Sequence, residues 1–481
     1  MIPSRQPPSN KRQPFSRVRA LFLAAVLIPT VIPSLSIADG GEPVDLVSIY
    51  VKALDANPQY QAAVAEFREA SEAKPQALAK LLPQIGAGAG AGELDQAVSG
   101  NFFRGILDTT NGSGDGIQVN HRDQFYSVGY QVGLTQVLFD WGLFKTYDQA
   151  ELKVGQAGVK VYEALDSLRL QTAQAYFDVL TDQDGVHFAS AEKEAVGELL
   201  EQAKNKLSSG LVTDVEVKQA QAEYDLSDAS LIDAQNTLEV DLTQLQLLTG
   251  GQSYSRLKPL GSLFQPAPPD PNKLEVWLER AQSQNLLLQD RHYGTEIAQK
   301  EIEMQKAARL PTLDASAKRS YEYADGGITN GIAAGDNHAI DQSVYLNLKA
   351  PIYTGGAITS AVRGAEAGFQ RAQYEEAAAR NDAKHSTQVA FLNSTAGLSH
   401  ISALNQAVQS AVAAEEAARV GYGVGTKTYS DVLLAVRTRY KAERDYTQAR
   451  NGFIVNFLKL KQAAGALSHA DLLTINRWLQ Q

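Results

Sequence analysis

Two stretches of this chain, Leu143 to Leu207 and Ala357 to Val420, each run for about 65 residues with no proline and few glycines. As continuous helices each would be roughly 100 Å long at 1.5 Å per residue, whereas helices of globular proteins average about 11–12 residues. Apolar residues recur at three- and four-residue steps, as in Leu165, Leu168, Ala175, Val179 and Leu180, among Ala, Gln and Glu. Helices that long need neighbours along their whole length, in coiled-coil fashion. At Gly210 and Gly425 the chain turns and returns through about 35 residues, so each long helix belongs to an antiparallel hairpin with glycine at its turn. A hydrolase or binding protein built from short elements around a compact core does not fit this pattern.

The chain is also written twice. Leu82-Pro83-Gln84-Ile85 answers Leu310-Pro311-Thr312-Leu313, and Val137-Leu-Phe139-Asp-Trp-Gly142 answers Pro351-Ile-Tyr353-Thr-Gly-Gly356. Gly210-Leu-Val-Thr213 answers Gly425-Thr-Lys-Thr428, and Gly250 answers Gly465 at the same offset of 215. The offset is 228 at the Pro83/Pro311 pair and 214 at the Val137/Pro351 pair, so the connection between the strands is longer in the first half. This divides the chain into a leader at 1–38, a first repeat at 39–265 and a linker at 266–273 marked by Pro266, Pro268, Pro269 and Pro271. A second repeat at 274–467 and a C-terminal segment at 468–481 follow. Hairpin tips fall near 208–214 and 421–428.

Each repeat carries two segments of period-two alternation, expected as strands at about 82–95 and 122–139, and at about 310–323 and 341–353. In Tyr126-Ser-Val-Gly-Tyr-Gln-Val-Gly-Leu134 the even positions are apolar and the odd ones small or polar. Ser343–Ile352 alternates likewise, with Tyr345 on its polar face, as does Leu313–Lys318. Gly86–Gly92 reads by itself as a flexible linker, but its repeat partner at 312–318 favours a strand. Asn101–His121 and Tyr323–Ala339, rich in Gly, Asn and Asp, read as long loops. Phe102, Phe103, Tyr126, Phe139, Trp141, Phe144, Tyr321, Tyr323 and Tyr353 flank the strands, as interfacial girdles do and as ordinary strand propensity also places aromatics. Four strands cannot close a barrel, since the smallest membrane barrels use eight. An open sheet in lipid leaves edge amides unpaired at several kcal/mol each. Either the sheet is soluble or several chains share one barrel.

The N-terminus has the form of a secretory leader. Five basic residues up to Arg19 precede Ala20–Ile28, and Ser36-Ile37-Ala38 suits cleavage after Ala38. A membrane anchor is the alternative, but Pro29 and Pro33 interrupt the apolar run before it could span about 30 Å. Those five bases are counted among 44 in all, against 54 acids, so the rest of the chain is strongly acidic and unsuited to nucleic acid. Cysteine is absent, which excludes disulfides, thiolate metal sites, a cysteine nucleophile and a lipidated N-terminal cysteine. No cofactor motif stands up. Gly423-Val-Gly425-Thr-Lys427-Thr428 imitates a phosphate loop, but Thr426 replaces its last glycine and a helix precedes it. The seven histidines show no metal-ligand spacing, no Ser-His-Asp set is suggested, and Trp141, Trp277 and Trp478 read as packing or interface anchors. The expectation is a protein that is not an enzyme and holds no metal.

Several local sequences carry a family resemblance. They are Gly421-Tyr422-Gly423-Val424-Gly425-Thr426-Lys427-Thr428-Tyr-Ser-Asp431-Val432-Leu433 at the second tip, and Gly210-Leu-Val with Val217-Lys-Gln-Ala220-Gln-Ala222-Glu-Tyr224-Asp225 at the first. Leu-Lys-Ala-Pro351-Ile-Tyr353-Thr-Gly355-Gly356, Ala463-Ala-Gly465-Ala-Leu467 and Asp471-Leu472-Leu473 complete the set. Together they resemble the outer-membrane efflux protein family of TolC-type channels, over essentially all of 40–481. The resemblance implies a mainly α fold with a transmembrane β part. It is a homotrimer whose 12-stranded barrel, four strands per chain, sits in outer-membrane lipid and continues as a long α-helical barrel into the periplasm of a Gram-negative bacterium. It also implies docking of a periplasmic adaptor (membrane fusion) protein and an inner-membrane ABC or proton-driven transporter at the hairpin tips, for export of proteins or small toxic compounds. Pro351, Gly355 and Gly356 correspond to the strand–helix junction, and Gly210 and Gly425 to the hairpin turns.

In that family hydrogen bonds and ion pairs between tip helices hold the periplasmic mouth shut. Carried over, the resemblance points to Tyr422, Lys427 and Asp431, and on the first hairpin to Glu216, with Asp214 as the other candidate carboxylate. A cation at 427 facing a carboxylate of the neighbouring hairpin would form a charge-assisted latch, worth only about 0–1 kcal/mol if exposed and so breakable by a docked partner. Thr213-x-x-Glu216 and Thr428-x-x-Asp431 equally read as capping boxes. The family type has Arg where Lys427 stands, which removes bidentate geometry, and a second Asp where Leu434 stands, which reduces any acidic double ring to one. The rival reading is a structural periplasmic coiled-coil or adhesin without channel activity; it explains the helices but not the duplicated two-faced strands.

Overall fold

The computed structural model describes residues 43–102, 117–254, 256–261, 264–325, 328–329, 332–333 and 337–479. The expected leader at 1–38 and Phe103 lie outside these residues, and none of the side chain of Phe102 is described. Each half uses the same series of elements. The first runs α1 (Leu46–Ala56), α2 (Pro58–Ala79), β1 (Gln84–Phe102), β2 (Ile117–Phe139), α3 (Trp141–Ser208) and α4 (Asp214–Leu248). The second runs α5 (Leu274–Gln284), α6 (Leu286–Ala307), β3 (Thr312–Ala324), the short pair β4 (Ile328–Thr329) and β5 (Ile332–Ala333), β6 (Asn337–Lys349), α7 (Ala357–Gly423) and α8 (Tyr429–Ala463). A last helix, α9 (His469–Trp478), follows. Corresponding helices hold 11 and 11, 22 and 22, 68 and 67, and 35 and 35 residues.

The short helices α1, α2, α5 and α6 are not evident from the long-helix pattern, though their caps are written locally. Asn57 accepts from Tyr60 N with Pro58 at the first helical position, and Asn285 accepts from Leu288 N at the equivalent place. Both Asn residues end one helix and start the next. Four glycines repeat the geometry of the helix ends at Gly210, Gly250, Gly425 and Gly465, all with φ between 68° and 78°. That left-handed backbone is what a helix C-terminus requires, and it explains why these glycines hold the offset between repeats.

The main sheet is antiparallel with order β1-β2-β3-β6, so the two repeats meet where β2 pairs with β3. Paired residues sort onto two faces. One carries Ile85, Val128, Tyr130, Val132, Leu134, Val344, Leu346 and Leu348, all exposed in the single chain. The other carries the β1 glycines with Gln131, Ser316, Lys318, Ser343 and Asn347; Asn347 donates to Asp314 at 2.8 Å and to Ser316 at 3.2 Å. Tyr345 lies on this polar face, as its sequence position implies. Phe139, Trp141, Phe144 and Tyr353 are exposed where strands give way to helices, with Trp141 and Phe144 edge-on at 6.3 Å.

The strands run further outward than expected. Pairing continues through Phe102↔Ile117 and Ala324↔Asn337, into stretches read as loops from their Gly, Asn and Asp content, and β4–β5 adds a short hairpin there. Antiparallel pairing uses backbone groups, so weak side-chain alternation does not end it. At the other end β6 stops at Lys349 rather than 353, because Pro351 lacks an N–H and biases Ala350 away from helix. Gly355 and Gly356 then turn the chain with φ of 62° and 85°. The first junction is built differently: a register shift between Val137 and Phe139 precedes Asp140, whose carboxylate caps α3 at Leu143 N, 3.1 Å.

The largest apolar core lies midway along α3, where Leu168, Tyr176, Phe177 and Val179 meet α1, α9, Leu257 and Phe264 from the segment after α4, and Phe453, Ile454 and Leu458 of α8. Tyr176 donates toward the carbonyls of Lys258 (2.8 Å) and Val44 (3.2 Å), tying the segments after α4 and before α1 to the helix. Just tipward of this core Asp182 of α3 shares a hydrogen bond with Asp241 of α4, near Asp178. Asn451 bonds Thr181 at 3.0 Å, and Lys459 lines the same cavity. Burial first, then the bond and charge of Asp241, push the Asp182 carboxyl up to about 7.

The folded chain therefore keeps on Asp182 a proton that an unfolded chain releases near pH 4. Its contribution to stability falls as pH rises from about 4 to about 7. Asp182→Asn should raise the thermal midpoint of the detergent-solubilised protein at pH 8 and leave it nearly unchanged at pH 4, with circular dichroism as the readout; equal shifts at both pH values would contradict this.

Candidate functional site: the two hairpin tips

Both tips close by the same backbone device. At the first, Gly210 N donates to Leu207 O and Leu211 N to Lys206 O, both at 2.9 Å. At the second, Gly425 N donates to Tyr422 O at 3.2 Å and Thr426 N to Gly421 O at 2.8 Å. These paired bonds satisfy carbonyls that a helix end leaves without partners. The Gly421 carbonyl also accepts from Lys427 N and from the Thr426 hydroxyl, so the second turn winds around one oxygen. The Lys427 stem lies against Gly421, where an added Cβ would stand 2.7 Å from Lys427 Cγ. Its ammonium makes no ion pair among the described residues and remains exposed.

The tips of the two hairpins share one apolar core. Val196, Leu199, Leu200 and Ala203 of α3 and Ala220 of α4 pack with Ala418 of α7 and Tyr429, Val432, Leu433 and Val436 of α8. Polar links surround it. Glu415, 5% exposed, accepts from Arg419 Nε (2.7 Å) and Arg439 Nη1 (3.1 Å), and Arg439 also reaches Glu443 at 3.0 Å. Arg437 of α8 meets Glu223 of α4 at 3.4 Å, joining one hairpin to the other.

The residues singled out by sequence fall into three situations. Asp431 completes a capping box: its Oδ2 accepts from Thr428 N (2.8 Å) and the Thr428 hydroxyl (2.9 Å), while Asp431 N donates back at 3.2 Å. Those bonds, first the backbone one, hold its carboxyl below the usual range. Asp214 pairs at 2.9 Å with Lys218 one turn on along its own helix. Glu216 is half-buried; Thr213 makes no side-chain cap bond, so the box readable in Thr213-x-x-Glu216 does not form. Glu216 is near enough to Tyr429 of the other hairpin for its charge to act there. Burial first, then the charges of Tyr422 and Glu216, raise the Tyr429 phenol well above its ordinary range.

Tyr422 and Tyr429 meet edge-on, centroids 5.6 Å apart. Lys206, on the last turn of α3, stands 4.1 Å from the centre of the Tyr422 ring. Neither Lys206 nor Tyr429 has a signal in the local sequence that marks it as functional; the contact joins separate hairpins. Leu434 is exposed, so the position leaves no second carboxylate next to Asp431. Among the described residues no group of His, Asp and Glu could hold a metal, and no helix is long and apolar enough to cross a membrane.

The two capping patterns give unequal expectations. Thr428→Ala should lower stability by about 1 kcal/mol through loss of its cap, whereas Thr213→Ala, which has no cap bond to lose, should cost no more than a few tenths. Thermal or denaturant unfolding of the two variants side by side checks this, and equal losses would contradict it.

Comparison with known proteins agrees with this construction. The family model described as outer membrane efflux protein matches residues 49–251 and 277–466. Outer membrane protein TolC of Vibrio cholerae is 32% identical over 436 residues, covering 91% of this chain and 94% of that protein. TolC of Escherichia coli K12 is 31% identical over 443 residues, covering 91% and 85%. The crystal structure of the outer membrane protein VceC from V. cholerae superposes with a TM-score of 0.67 at 20% identity, over 87% of this chain and 96% of that one. The fold is thus that of a protomer of the trimeric outer-membrane channels, mainly helical with four main-sheet strands per chain. The extent of these matches over both repeats shows that the chain belongs to the outer membrane efflux protein family, as a channel protein of the Gram-negative outer membrane that reaches into the periplasm.

Proposed function

We propose that three copies of this chain form a passive export duct whose periplasmic end is closed by the hairpin tips and opened when partner proteins dock there. The observation that carries the duct is the β1-β2-β3-β6 sheet, with one exposed apolar face, one polar face and two edges unpaired among the described residues. Three such sheets joined edge to edge give 12 strands, within the range of membrane barrels, and put Lys318, Ser343 and Asn347 on a wetted bore. The long hairpins continue the wall. A periplasmic adaptor and an inner-membrane transporter are the partners, gripping helices whose outer surfaces are exposed along α4 and α7. A structural coiled-coil protein without a channel has no use for a sheet with these two faces.

In this reading the gate works between chains as well as within them. Lys427 is exposed at the second tip without an ion-pair partner among the described residues, and in this reading it meets a carboxylate of the neighbouring hairpin. Of the two first-hairpin candidates, Asp214 is held by Lys218 while Glu216 makes no ion pair among the described residues, and Asp431 is held by Thr428. Exposed latches of this kind contribute about 0–1 kcal/mol each, so docking energy suffices to release them.

Changing Lys427 and Tyr422 together, to Ala and Phe, should raise single-channel conductance in planar bilayers above that of the unaltered protein, while heat-resistant trimers persist in detergent. An unchanged conductance would argue against the latch. A protein that forms no trimers and no pores would remove the channel reading altogether.

A further inference from the structure

Tip cations that can reach a carboxylate do so: Lys204 pairs with Glu201 at 2.8 Å and Lys218 with Asp214 at 2.9 Å. Lys206 is different. Among the described residues it makes no ion pair, and its ammonium rests 4.1 Å from the centre of the Tyr422 ring. That is well inside the roughly 6 Å over which an aromatic face attracts a cation. Lys206 belongs to α3 and Tyr422 to α7, so the contact spans the two hairpins of one chain.

The ring is anchored from behind by a second one. Tyr422 meets Tyr429 at 5.6 Å and 63°, and Tyr429, 2% exposed, opens α8 inside the core built by Val196, Leu199, Leu200 and Ala203. The Tyr429 hydroxyl has no hydrogen-bond partner among the described residues, so its contribution here comes from the ring. A cation of the first hairpin, an α7 ring and an α8 ring thus form a continuous series from exposed tip to apolar core.

We propose that Lys206 is a gate-positioning residue: its ammonium, on the face of Tyr422, holds the second hairpin of each protomer against the first when the mouth is closed. This rests on the gating reading above and adds to it an intrachain contact made without a carboxylate. Half-exposed and built on a strongly hydrated ammonium, the contact breaks at little cost when α7 moves outward.

Lys206 also stands on the last turn of α3, where any cation favours the helix dipole. The test separates the two roles, using the full-length trimer in planar bilayers. Lys206→Met removes one such contact from each of the three protomers and should shift the open-to-closed ratio toward open by about two- to five-fold per protomer. Lys206→Arg, which keeps a cation over the ring, should restore the closed state. Tyr422→Leu should open the channel as Lys206→Met does, and combining the two should add nothing further. The proposal is overturned if Lys206→Met gates like the unaltered channel, or if it adds its full increment on top of Tyr422→Leu, as a dipole effect would. Should the joint Lys427 and Tyr422 change open the channel while Lys206→Met does not, the gate stands and Lys206 alone loses its role. Should no form of the protein conduct, the gating reading itself fails.

Discussion

The outer edges of β1 and β6 set the terms for the molecule. Each presents backbone N–H and C=O groups that no strand of the same chain satisfies among the described residues, and hydrocarbon offers them no water. With its broad face of Val128, Tyr130, Val132, Val344, Leu346 and Leu348 uncovered, one sheet is stable neither in water nor alone in lipid. Edge-to-edge joining with copies of itself answers both problems, and a barrel formed that way has a polar inside without further design. Assembly is thus a condition of insertion.

The helical part meets a different demand. Helices of 68 and 67 residues cannot be held by one core, and here they are held by at least two: the mid-length cluster around Tyr176, Phe177 and Ile454, and the tip cluster around Leu199, Val432 and Tyr429. The first is tied to α1, α9 and the segment after α4 and fixes both hairpins relative to each other. The second is smaller and edged by single contacts such as Arg437–Glu223 and Lys206–Tyr422. A hierarchy of stability follows, firm at the middle and weaker at the tips.

Much of this is visible in the amino-acid sequence because it depends on short-range pattern. Period-two alternation marks the two-faced strands, proline-free runs mark α3 and α7, and the recurrence of Gly210 and Gly425 reflects a backbone conformation glycine accepts most easily. The limits are equally physical. Outer strand ends hide in Gly- and Asn-rich sequence because their pairing is made by backbone. The strand end at Lys349 is overshot because Ile352 continues the alternation beyond Pro351. Thr213-x-x-Glu216 and Thr428-x-x-Asp431 are alike as patterns, yet only the second forms a box, since the Thr213 side chain makes no cap bond. Lys206 carried no signal because its partner comes from a distant helix.

The matched helix lengths of the two repeats have an evolutionary corollary. A residue inserted into or removed from α7 would turn everything beyond it by about 100° and shift it by 1.5 Å, exposing a buried stripe and leaving one tip out of level with the other. The helices can therefore drift widely in residue type but hardly at all in length. The strands are under no such restraint: β1 and β2 hold 19 and 23 residues against 13 and 13 for β3 and β6, and it is mostly there that the offset between repeats slips from 228 to 214. Insertions and deletions should collect at the outward rim of this lineage's channels, leaving the helical staves as its ruler.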